Sequence, residues 1–232
     1  MTRLLTPARR RGVEYLDDRN ADAAILRRSL ADVARSNALF GGTSAVIAEL
    51  DETFRLLPAR ATLLDVGTGI ADIPQRARER ARAHGIRLET YGLDEAEPLA
   101  AASRARTTAA VRGDALALPF GDRSVDIVLC SQVLHHFPDE QAAAVVEELH
   151  RVARTRVIIA DLRRSWMAIA GIWLASYPLR FHPVSRHDGV VSVFRGYTAD
   201  ELRELIQRVI GRVPRVRTRW AFRITASWCP VR

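Results

Sequence analysis

The chain has 232 residues, of which 48% are hydrophobic and 27% are charged, and its formal net charge at pH 7 is +8. This composition predicts one soluble α/β domain with a sizeable core and excludes a disordered or fibrous chain. The two cysteines, Cys130 and Cys229, show no metal-ligand spacing and predict no disulfide. All 35 basic residues are arginine, which is typical of a GC-rich coding sequence, so the charge gives little support for a nucleic-acid partner.

The amino-terminal region predicts two helices ahead of the first strand. Residues 1–11 are basic but no apolar run follows them, so we expect a frayed arm and no secretory signal. Apolar residues recur at helical spacing within residues 20–36 and again within residues 46–54. We therefore assign residues 1–58 to an N-terminal helical cap.

A buried strand then runs into a glycine turn and a helix. The segment reads Leu63-Leu64-Asp65-Val66-Gly67-Thr68-Gly69-Ile70-Ala71-Asp72-Ile73-Pro74. Gly67 and Gly69 allow the backbone to turn sharply and to approach a ligand closely. Asp65 places a carboxylate at the carboxyl end of the strand, where open α/β sheets bind ligands.

The rest of the chain alternates strands with helices. The predicted strands span 87–94, an apolar run beginning at Val125, and 157–161; the predicted helices span 75–84, 98–106, 140–152 and 198–210. Thr198 and Glu201 have the spacing of a capping box. In the tail, arginines at 215, 217, 219 and 223 alternate with Val216, Thr218, Trp220, Phe222 and Ile224. This period of two predicts a half-buried edge strand or hairpin with a cationic outer face.

Three further segments follow the glycine turn at the spacing of a nucleotide-binding fold. They are Tyr91-Gly92-Leu93-Asp94, Val111 to Phe120, and Ser124 to Phe137. With the turn, they resemble the class I S-adenosylmethionine-dependent methyltransferases, nearest to the small-molecule branch of ubiquinone, menaquinone and secondary-metabolite biosynthesis. The resemblance covers residues 61–161 well. It implies a Rossmann-like α/β fold over residues 59–232, with a mostly parallel central sheet, helices on both faces and an antiparallel C-terminal edge.

The resemblance also implies a cofactor, S-adenosylmethionine, which is released as S-adenosylhomocysteine, and it assigns residues to that cofactor. Asp65, Gly67 and Gly69 would lie against the methionine part, and Asp94 would accept hydrogen bonds from the ribose hydroxyls. Asp114 would face the adenine amino group with Ala115 and Leu116 beside the ring, and Ser131 would border the sulfonium. Asp114 has an alternative interpretation as a turn residue after Gly113. Ala71 stands where many members of the family have a third glycine.

The acceptor side of the site is less closely specified. Residues 163–197 are predicted to form a lid, with aromatic walls from Trp166, Trp173, Tyr177 and Phe181. The alternatives are a helix packed on the sheet or in a dimer interface, and a shallow contact with a membrane surface. Arg35, Asn37 and the Gly41-Gly42 pair are candidates to line this pocket, and the glycine pair has the alternative of merely capping a helix.

Histidines supply the candidate bases. His135 and His136 follow the fourth strand, where the methyl group is expected, and each is either a catalytic base or a structural residue. His182 and the pair His187-Asp188 lie beside the predicted lid. No motif specifies a metal, because adjacent histidines are poorly placed to share one ion.

These observations predict a cytoplasmic methyltransferase, monomeric or homodimeric, that acts on a small lipophilic or aromatic substrate such as a phenol, quinol or polyketide. One alternative is a nucleic-acid methyltransferase, but the Asp/Asn-Pro-Pro-aromatic segment of base-directed enzymes is replaced by Cys130-Ser131-Gln132-Val133-Leu134. The other is a protein that uses the same cofactor in a reaction without methyl transfer.

Overall fold

A seven-stranded sheet with strand order β3-β2-β1-β4-β5-β7-β6 organises the computed structural model, which describes residues 6–17 and 22–230. The strands are β1 Arg60–Val66, β2 Arg87–Asp94, β3 Ala109–Arg112, β4 Val125–Ser131, β5 Ala153–Leu162, β6 Arg215–Arg219 and β7 Arg223–Trp228. The first five are parallel, and β7 runs antiparallel to both β5 and β6. The predicted fold is therefore confirmed, including its antiparallel C-terminal edge.

Helices cover both faces of the sheet. They are α1 Ala23–Leu39, α2 Gly42–Phe54, α3 Asp72–Ala83, α4 Glu97–Ser103, α5 Asp139–Val152, α6 Trp166–Ser176, α7 Pro183–Arg195 and α8 Ala199–Ile210. Helices α2 and α3 bury one face of β1, β4 and β5, whereas α5 and α8 bury the other face. The predicted capping box of α8 is present, since the Thr198 hydroxyl accepts from the Glu201 amide at 3.2 Å and the Glu201 carboxylate accepts from the Thr198 amide at 2.8 Å.

The strand order reverses between β1 and β4, which places a crevice at their carboxyl ends. Leu64 lies beside Val128 and Val66 beside Cys130 in the parallel register of these strands. The connections that follow β1 and β4 leave this edge of the sheet in opposite directions. Doubly wound sheets bind ligands at such a switch point.

The amino-terminal arm packs against the rest of the chain. The buried Arg164 side chain donates to the carbonyl of Pro7 at 2.8 Å, and the amide of Arg10 donates to the carbonyl of Phe194 at 3.2 Å. The guanidinium of Arg9 lies 3.9 Å from the centre of the Tyr197 ring. The expectation of a frayed arm is therefore wrong for residues 6–11, and residues 1–5 of that prediction lie outside the described part of the chain.

The structure contains the predicted C-terminal hairpin, but the prediction that the hairpin has a cationic outer face is wrong. Arg215, Arg217 and Arg219 form ion pairs with Glu49 and Glu52 of α2. The turn between the strands places Ala221 and Phe222 in the left-handed region, with φ of 51° and 58°. This turn breaks the alternation of period two, so Arg223 is buried and Trp220 is exposed.

Candidate active site

A cavity of about 1260 Å³ opens at the carboxyl ends of the parallel strands. Its walls come from the turn after β1, the ends of β2, β4 and β5, helices α1, α6 and α7, and the arm at residues 14–17. All nine predicted site residues line it: Asp65, Gly67, Gly69, Asp94, Asp114, Ala115, Ser131, His135 and His136.

The turn after β1 is built from left-handed residues. Gly67 and Gly69 have φ of 71° and 54°, and Ala71, at the position of the missing third glycine, also has a left-handed φ of 56°. The amides of Gly67 and Thr68 donate to the carbonyl of Leu93 at 2.8 and 2.9 Å, which fixes the turn against β2. The chain therefore keeps the glycine-turn conformation at Ala71 at a cost of about 1 kcal/mol.

Gly67 has no room for a side chain. A Cβ built on it would lie 2.2 Å from Cγ2 of Val133, whereas a Cβ on Gly69 meets nothing within 4 Å. We therefore expect Gly67→Ala to lower the free energy of unfolding by about 2–4 kcal/mol, from left-handed strain plus overpacking. Gly69→Ala carries the strain alone and should cost about 1 kcal/mol. Urea unfolding of both variants without ligand is the measurement, and equal costs would contradict the close approach of Val133.

Asp94 joins this turn to the end of β2. Its carboxylate accepts from the Gly69 amide at 3.0 Å and from the Ala96 amide at 3.1 Å. Burial raises the pKa of Asp94, and the two backbone hydrogen bonds partly offset that effect. Each carboxylate oxygen keeps a second lone pair, so the side chain can accept from a pair of vicinal hydroxyls in the cavity.

Asp114 lies farther along the same wall. One of its oxygens accepts from the Leu116 amide at 2.9 Å, which is the turn role considered for it, and the other oxygen is not used in that turn. Ala115 beside it is buried and packs into the core. The two roles proposed for Asp114 are thus compatible in this geometry.

The chain is similar to known methyltransferases. Residues 64–160 match the family model described as a methyltransferase domain. An uncharacterized methyltransferase of Schizosaccharomyces pombe is 26% identical over 151 residues, which is 62% of this chain and 57% of the relative. The chain thus spans little more than half the length of that relative.

Solved structures agree at the level of the fold. A S-adenosylmethionine-dependent methyltransferase from Aquifex aeolicus superposes with a TM-score of 0.58 at 18% identity, covering 84% of this chain and 93% of that one. Magnesium protoporphyrin IX methyltransferase from Synechocystis, crystallised with S-adenosylhomocysteine, gives 0.52 at 17% identity and 82% of each chain. Residues 64–160 thus match a methyltransferase domain, and the chain shares its fold with S-adenosylmethionine-dependent methyltransferases. That fold places the glycine turn and Asp94 around one cavity.

The cavity has features that fit S-adenosylmethionine. The bare Gly67 and Gly69 leave the backbone of the turn open to the methionine part, and Asp94 presents acceptors for the two ribose hydroxyls. Asp65 is buried behind the turn and accepts from the Thr68 hydroxyl at 2.9 Å. When bound, the cofactor supplies an activated methyl group on a positively charged sulfur.

A buried histidine–aspartate pair faces the cavity. Nδ1 of His135 lies 2.6 Å from Oδ1 of Asp161, and the His135 amide donates to Oδ2 of Asp161 at 3.1 Å. Burial alone would raise the pKa of Asp161, but the charge and hydrogen bond of His135 hold it below its usual range. Nε2 of His135 is buried without a hydrogen-bond partner among the described residues. In the neutral ring Asp161 fixes the proton on Nδ1 and leaves the Nε2 lone pair free, on a residue of the cavity lining.

Glu14, in the amino-terminal arm, lies across from that nitrogen. Its carboxylate is 4.0 Å from Nε2 of His135 and 3.0 Å from the Arg195 guanidinium. Burial raises the pKa of Glu14, and the charges of His136 and Arg195 partly offset it. A hydroxyl oxygen to one side of the line between Glu14 and His135 could lie within hydrogen-bond distance of both groups.

His136 belongs to an ion-pair network at the rim. Its Nδ1 lies 2.9 Å from Asp17 and 3.3 Å from the Arg195 guanidinium. Glu14, His135 and His136 have potential ligand atoms within 4.8 Å of one another. The two histidines are therefore closer together than their adjacent positions in the sequence led us to expect. Arg195 contacts two of these three groups, however, and already supplies the positive charge that a metal ion would bring.

The segment predicted as a lid contains α6 and α7, but its aromatic residues do not form the predicted wall. Trp166, Trp173 and Tyr177 are each close to half exposed and do not line the cavity, whereas Phe181 is buried and does. The inner face of α6 contributes Ala168, Gly171 and Ile172 instead. The prediction of four aromatic walls is therefore wrong for three of the four residues.

The other candidate residues have mostly structural roles. Nδ1 of His182 accepts from the Val184 amide and caps α7, and the carboxylate of Asp188 accepts from the backbone amides of Tyr15 and Leu16 at 3.0 and 3.1 Å. His187 contacts Asp188 but is largely exposed and outside the cavity lining. Asn37 does line the cavity, and its buried Oδ1 has no partner among the described residues.

Arg35 and the glycine pair lie outside the cavity lining. The guanidinium of Arg35 donates to the carbonyl of Leu179 at 2.8 Å. Gly41 caps α2 with φ of 74°, as the capping alternative predicted.

Arg223 is a cavity residue that the sequence pattern placed on the wrong face. Its guanidinium donates to the carbonyl of Phe40 at 3.0 Å and to the side-chain oxygen of Gln132 at 3.1 Å. Burial lowers the pKa of Arg223 to about 10, and Asp161 partly offsets that effect. The cavity thus contains a charged arginine that forms no ion pair with the described residues, which suits a site that receives an anionic group.

Proposed function

We propose that this methyltransferase transfers the methyl group of S-adenosylmethionine to a hydroxyl oxygen of a small lipophilic acceptor, with His135 as the general base. The observation that carries the proposal is that Nε2 of His135, a residue of the cavity lining, is buried without a partner while Asp161 holds Nδ1 at 2.6 Å. An oriented base of this kind is what a phenol or enol needs to lose its proton.

The residues divide the chemistry between them. The cofactor supplies the activated methyl group, so the protein has to align the acceptor oxygen with it and remove one proton. His135 accepts the proton at Nε2, and Asp161 stabilises the imidazolium that results. Glu14, at 4.0 Å from that nitrogen, orients the acceptor hydroxyl from its other side.

The acceptor side of the cavity favours an apolar molecule. Apolar side chains from α1, α7 and the chain around them line it, namely Leu26, Leu30, Val33, Phe40, Phe181 and Val193. The volume of about 1260 Å³ exceeds the usual range for a single ligand, so the cavity has room for a cofactor and an acceptor together. We infer a phenol, quinol or polyketide-type metabolite as the substrate class.

The acceptor class is tested with a panel of alkylphenols and hydroquinones incubated with S-adenosylmethionine. The expected result is a product heavier by one methylene unit whose new methyl is lost under ether-cleaving conditions. Methylation of a carbon or nitrogen, or conversion of an acceptor without consumption of S-adenosylmethionine, would contradict the proposal. Salt-sensitive binding and methylation of RNA would favour the nucleic-acid alternative.

Asp94 provides a direct test of the cofactor site. We expect Asp94→Ala to weaken S-adenosylhomocysteine binding at least tenfold, or about 1.4 kcal/mol, because the ribose loses its acceptor pair and Gly69 loses a hydrogen bond. Isothermal titration calorimetry is the measurement. Asp200→Ala removes an exposed carboxylate at the start of α8 and is the matched control. Equal affinities of both variants would remove Asp94 from the site, and no binding by the wild type would remove the cofactor assignment.

A further inference from the structure

The outer face of α6 is apolar and exposed along its whole length. At 100° per residue, its exposed side chains occupy one stripe about a third of the helix circumference wide. They are Trp166, Met167, Ala170, Trp173, Leu174 and Tyr177, the last at the C-cap. Trp173 is 49% exposed and Leu174 60% exposed. A contiguous apolar surface of this kind marks an interaction site.

The same helix separates this surface from the cavity. Its inner face contributes Ala168, Gly171 and Ile172 to the cavity wall, and the helix contains no charged residue. A surface helix that is apolar on both faces has no side suited to water. The outer surface, which we call the α6 face, is therefore the opposite side of a helix that forms one wall of the candidate active site.

Arginines from three elements surround the carboxyl end of the α6 face. The side chain of Arg28 donates to the carbonyl of Arg180 at 3.2 Å, and that of Arg35 donates to the carbonyl of Leu179. The guanidinium of Arg186 lies 4.5 Å from the centre of the Tyr177 ring. We call Arg28, Arg35, Arg180 and Arg186 the rim arginines.

Few carboxylates balance this charge. Asp32 lies 3.9 Å from Arg28 and 3.4 Å from Arg35, so one buried carboxylate faces two rim arginines. Between residues 163 and 199 the sequence has one acidic residue, Asp188. That carboxylate is buried against backbone amides of the arm. The apolar face is therefore bordered by net positive charge.

We propose that the α6 face docks on an anionic lipid bilayer, with α6 lying in the plane of the interface and the rim arginines against the lipid headgroups. Tryptophan and tyrosine favour the depth at which headgroups meet acyl chains, and arginine is attracted to anionic lipid. No helix in the described part of the chain is long and apolar enough to cross a membrane. A two-fold contact that packed two α6 helices parallel would bring rim arginines against rim arginines, which charge complementarity disfavours.

Docking in this way would place the acceptor cavity beside the bilayer. A lipophilic acceptor dissolved in the membrane would then reach the cavity along α6 without crossing water. This consequence, unlike the docking itself, rests on the proposed function.

Vesicle flotation tests the docking. Vesicles of equal parts phosphatidylglycerol and phosphatidylcholine should carry the protein up a density gradient, vesicles of phosphatidylcholine alone should carry much less, and added salt should weaken the binding. Leu174→Glu should weaken binding about tenfold or more, since it places a charge in the apolar stripe. Leu56→Glu, at a leucine of 59% exposure after α2, is the matched control and should bind as the wild type does.

Tryptophan fluorescence locates the contact independently of these variants. Lipids brominated on their acyl chains should quench the protein's emission, and the quenched component should disappear in Trp166→Phe/Trp173→Phe but persist in Trp220→Phe. Absence of flotation, or equal loss in both leucine variants, would overturn the proposal. A dimer in sedimentation equilibrium that Leu174→Glu dissociates, without vesicle binding, would assign the α6 face to a second copy of the chain instead.

Discussion

Replacing His135 with asparagine is expected to lower kcat for methyl transfer to a phenol by roughly 10²–10⁴-fold, the usual contribution of a positioned general base. Asparagine keeps a donor for Asp161, so it avoids the uncompensated buried charge that alanine would leave. It presents no basic nitrogen where Nε2 of His135 faces the cavity. The measurement is kcat at saturating S-adenosylmethionine, with S-adenosylhomocysteine affinity as the check that the cofactor site is intact.

The acidity of the acceptor separates a base from a structural residue. A phenol that is already ionised at the assay pH needs no base, so the loss in His135→Asn should shrink for nitrophenols and at high pH. Asp161→Asn should show the same pattern, because Asp161 sets the tautomer that leaves Nε2 free. His187→Ala, at an exposed histidine outside the cavity lining, is the control. An equal loss for acidic and ordinary phenols would assign His135 to structure.

The cofactor side of the site could be predicted because its signals are local in sequence. The turn at Gly67 and Gly69 and the acid at Asp94 each follow a strand whose apolar run is plain in the sequence. Strands of a parallel sheet all end at the same edge, so predicting the strands was enough to bring these residues together. The structure places all of them around one cavity.

The acceptor side could not be predicted in the same way, since it depends on long-range contacts. Asp161 meets His135 because Ser131 of β4 lies beside Ala160 of β5 in the parallel register. The sequence did show an acid, Asp161, at the end of the strand predicted at 157–161. Using that signal would have required knowing that this strand lies beside the strand that precedes His135. Glu14 and Arg195 are 181 residues apart, and no pattern in the sequence indicated that the arm folds over the cavity.

Two errors of orientation have local physical causes. The helix α6 is apolar on every side, so its sequence contains no polar face that would indicate which aromatic residues point inward. In the C-terminal hairpin, the left-handed turn residues Ala221 and Phe222 change the alternation, and the face assigned to Arg223 is reversed. Periodicity predicts which residues share a face only within one regular element.

Asp65 gives a second large expected effect, on stability instead of catalysis. Burial raises the pKa of Asp65 from 3.8 to about 7, partly offset by the hydrogen bond from Thr68. Between about pH 4 and pH 7 the folded protein therefore holds a proton at Asp65 that the unfolded chain has released. Stability must fall as pH rises through this window, by roughly 3–4 kcal/mol for a shift of this size.

Asp65→Asn should remove that loss. The amide oxygen still accepts from the Thr68 hydroxyl, but the side chain does not ionise. Position 65 of the variant therefore adds no pH dependence to the free energy of unfolding. We expect the free energy of unfolding to drop between pH 5 and pH 8 by roughly 2–3 kcal/mol less in the variant than in the wild type, measured by urea unfolding without ligand. Contributions from Asp72 and Asp94, whose pKa values are also raised by burial, occur in both proteins and largely cancel in the comparison. Parallel stability curves would mean that Asp65 is ionised in the folded protein, which requires a cation, or a donor in addition to the Thr68 hydroxyl, that the described residues of the turn do not provide.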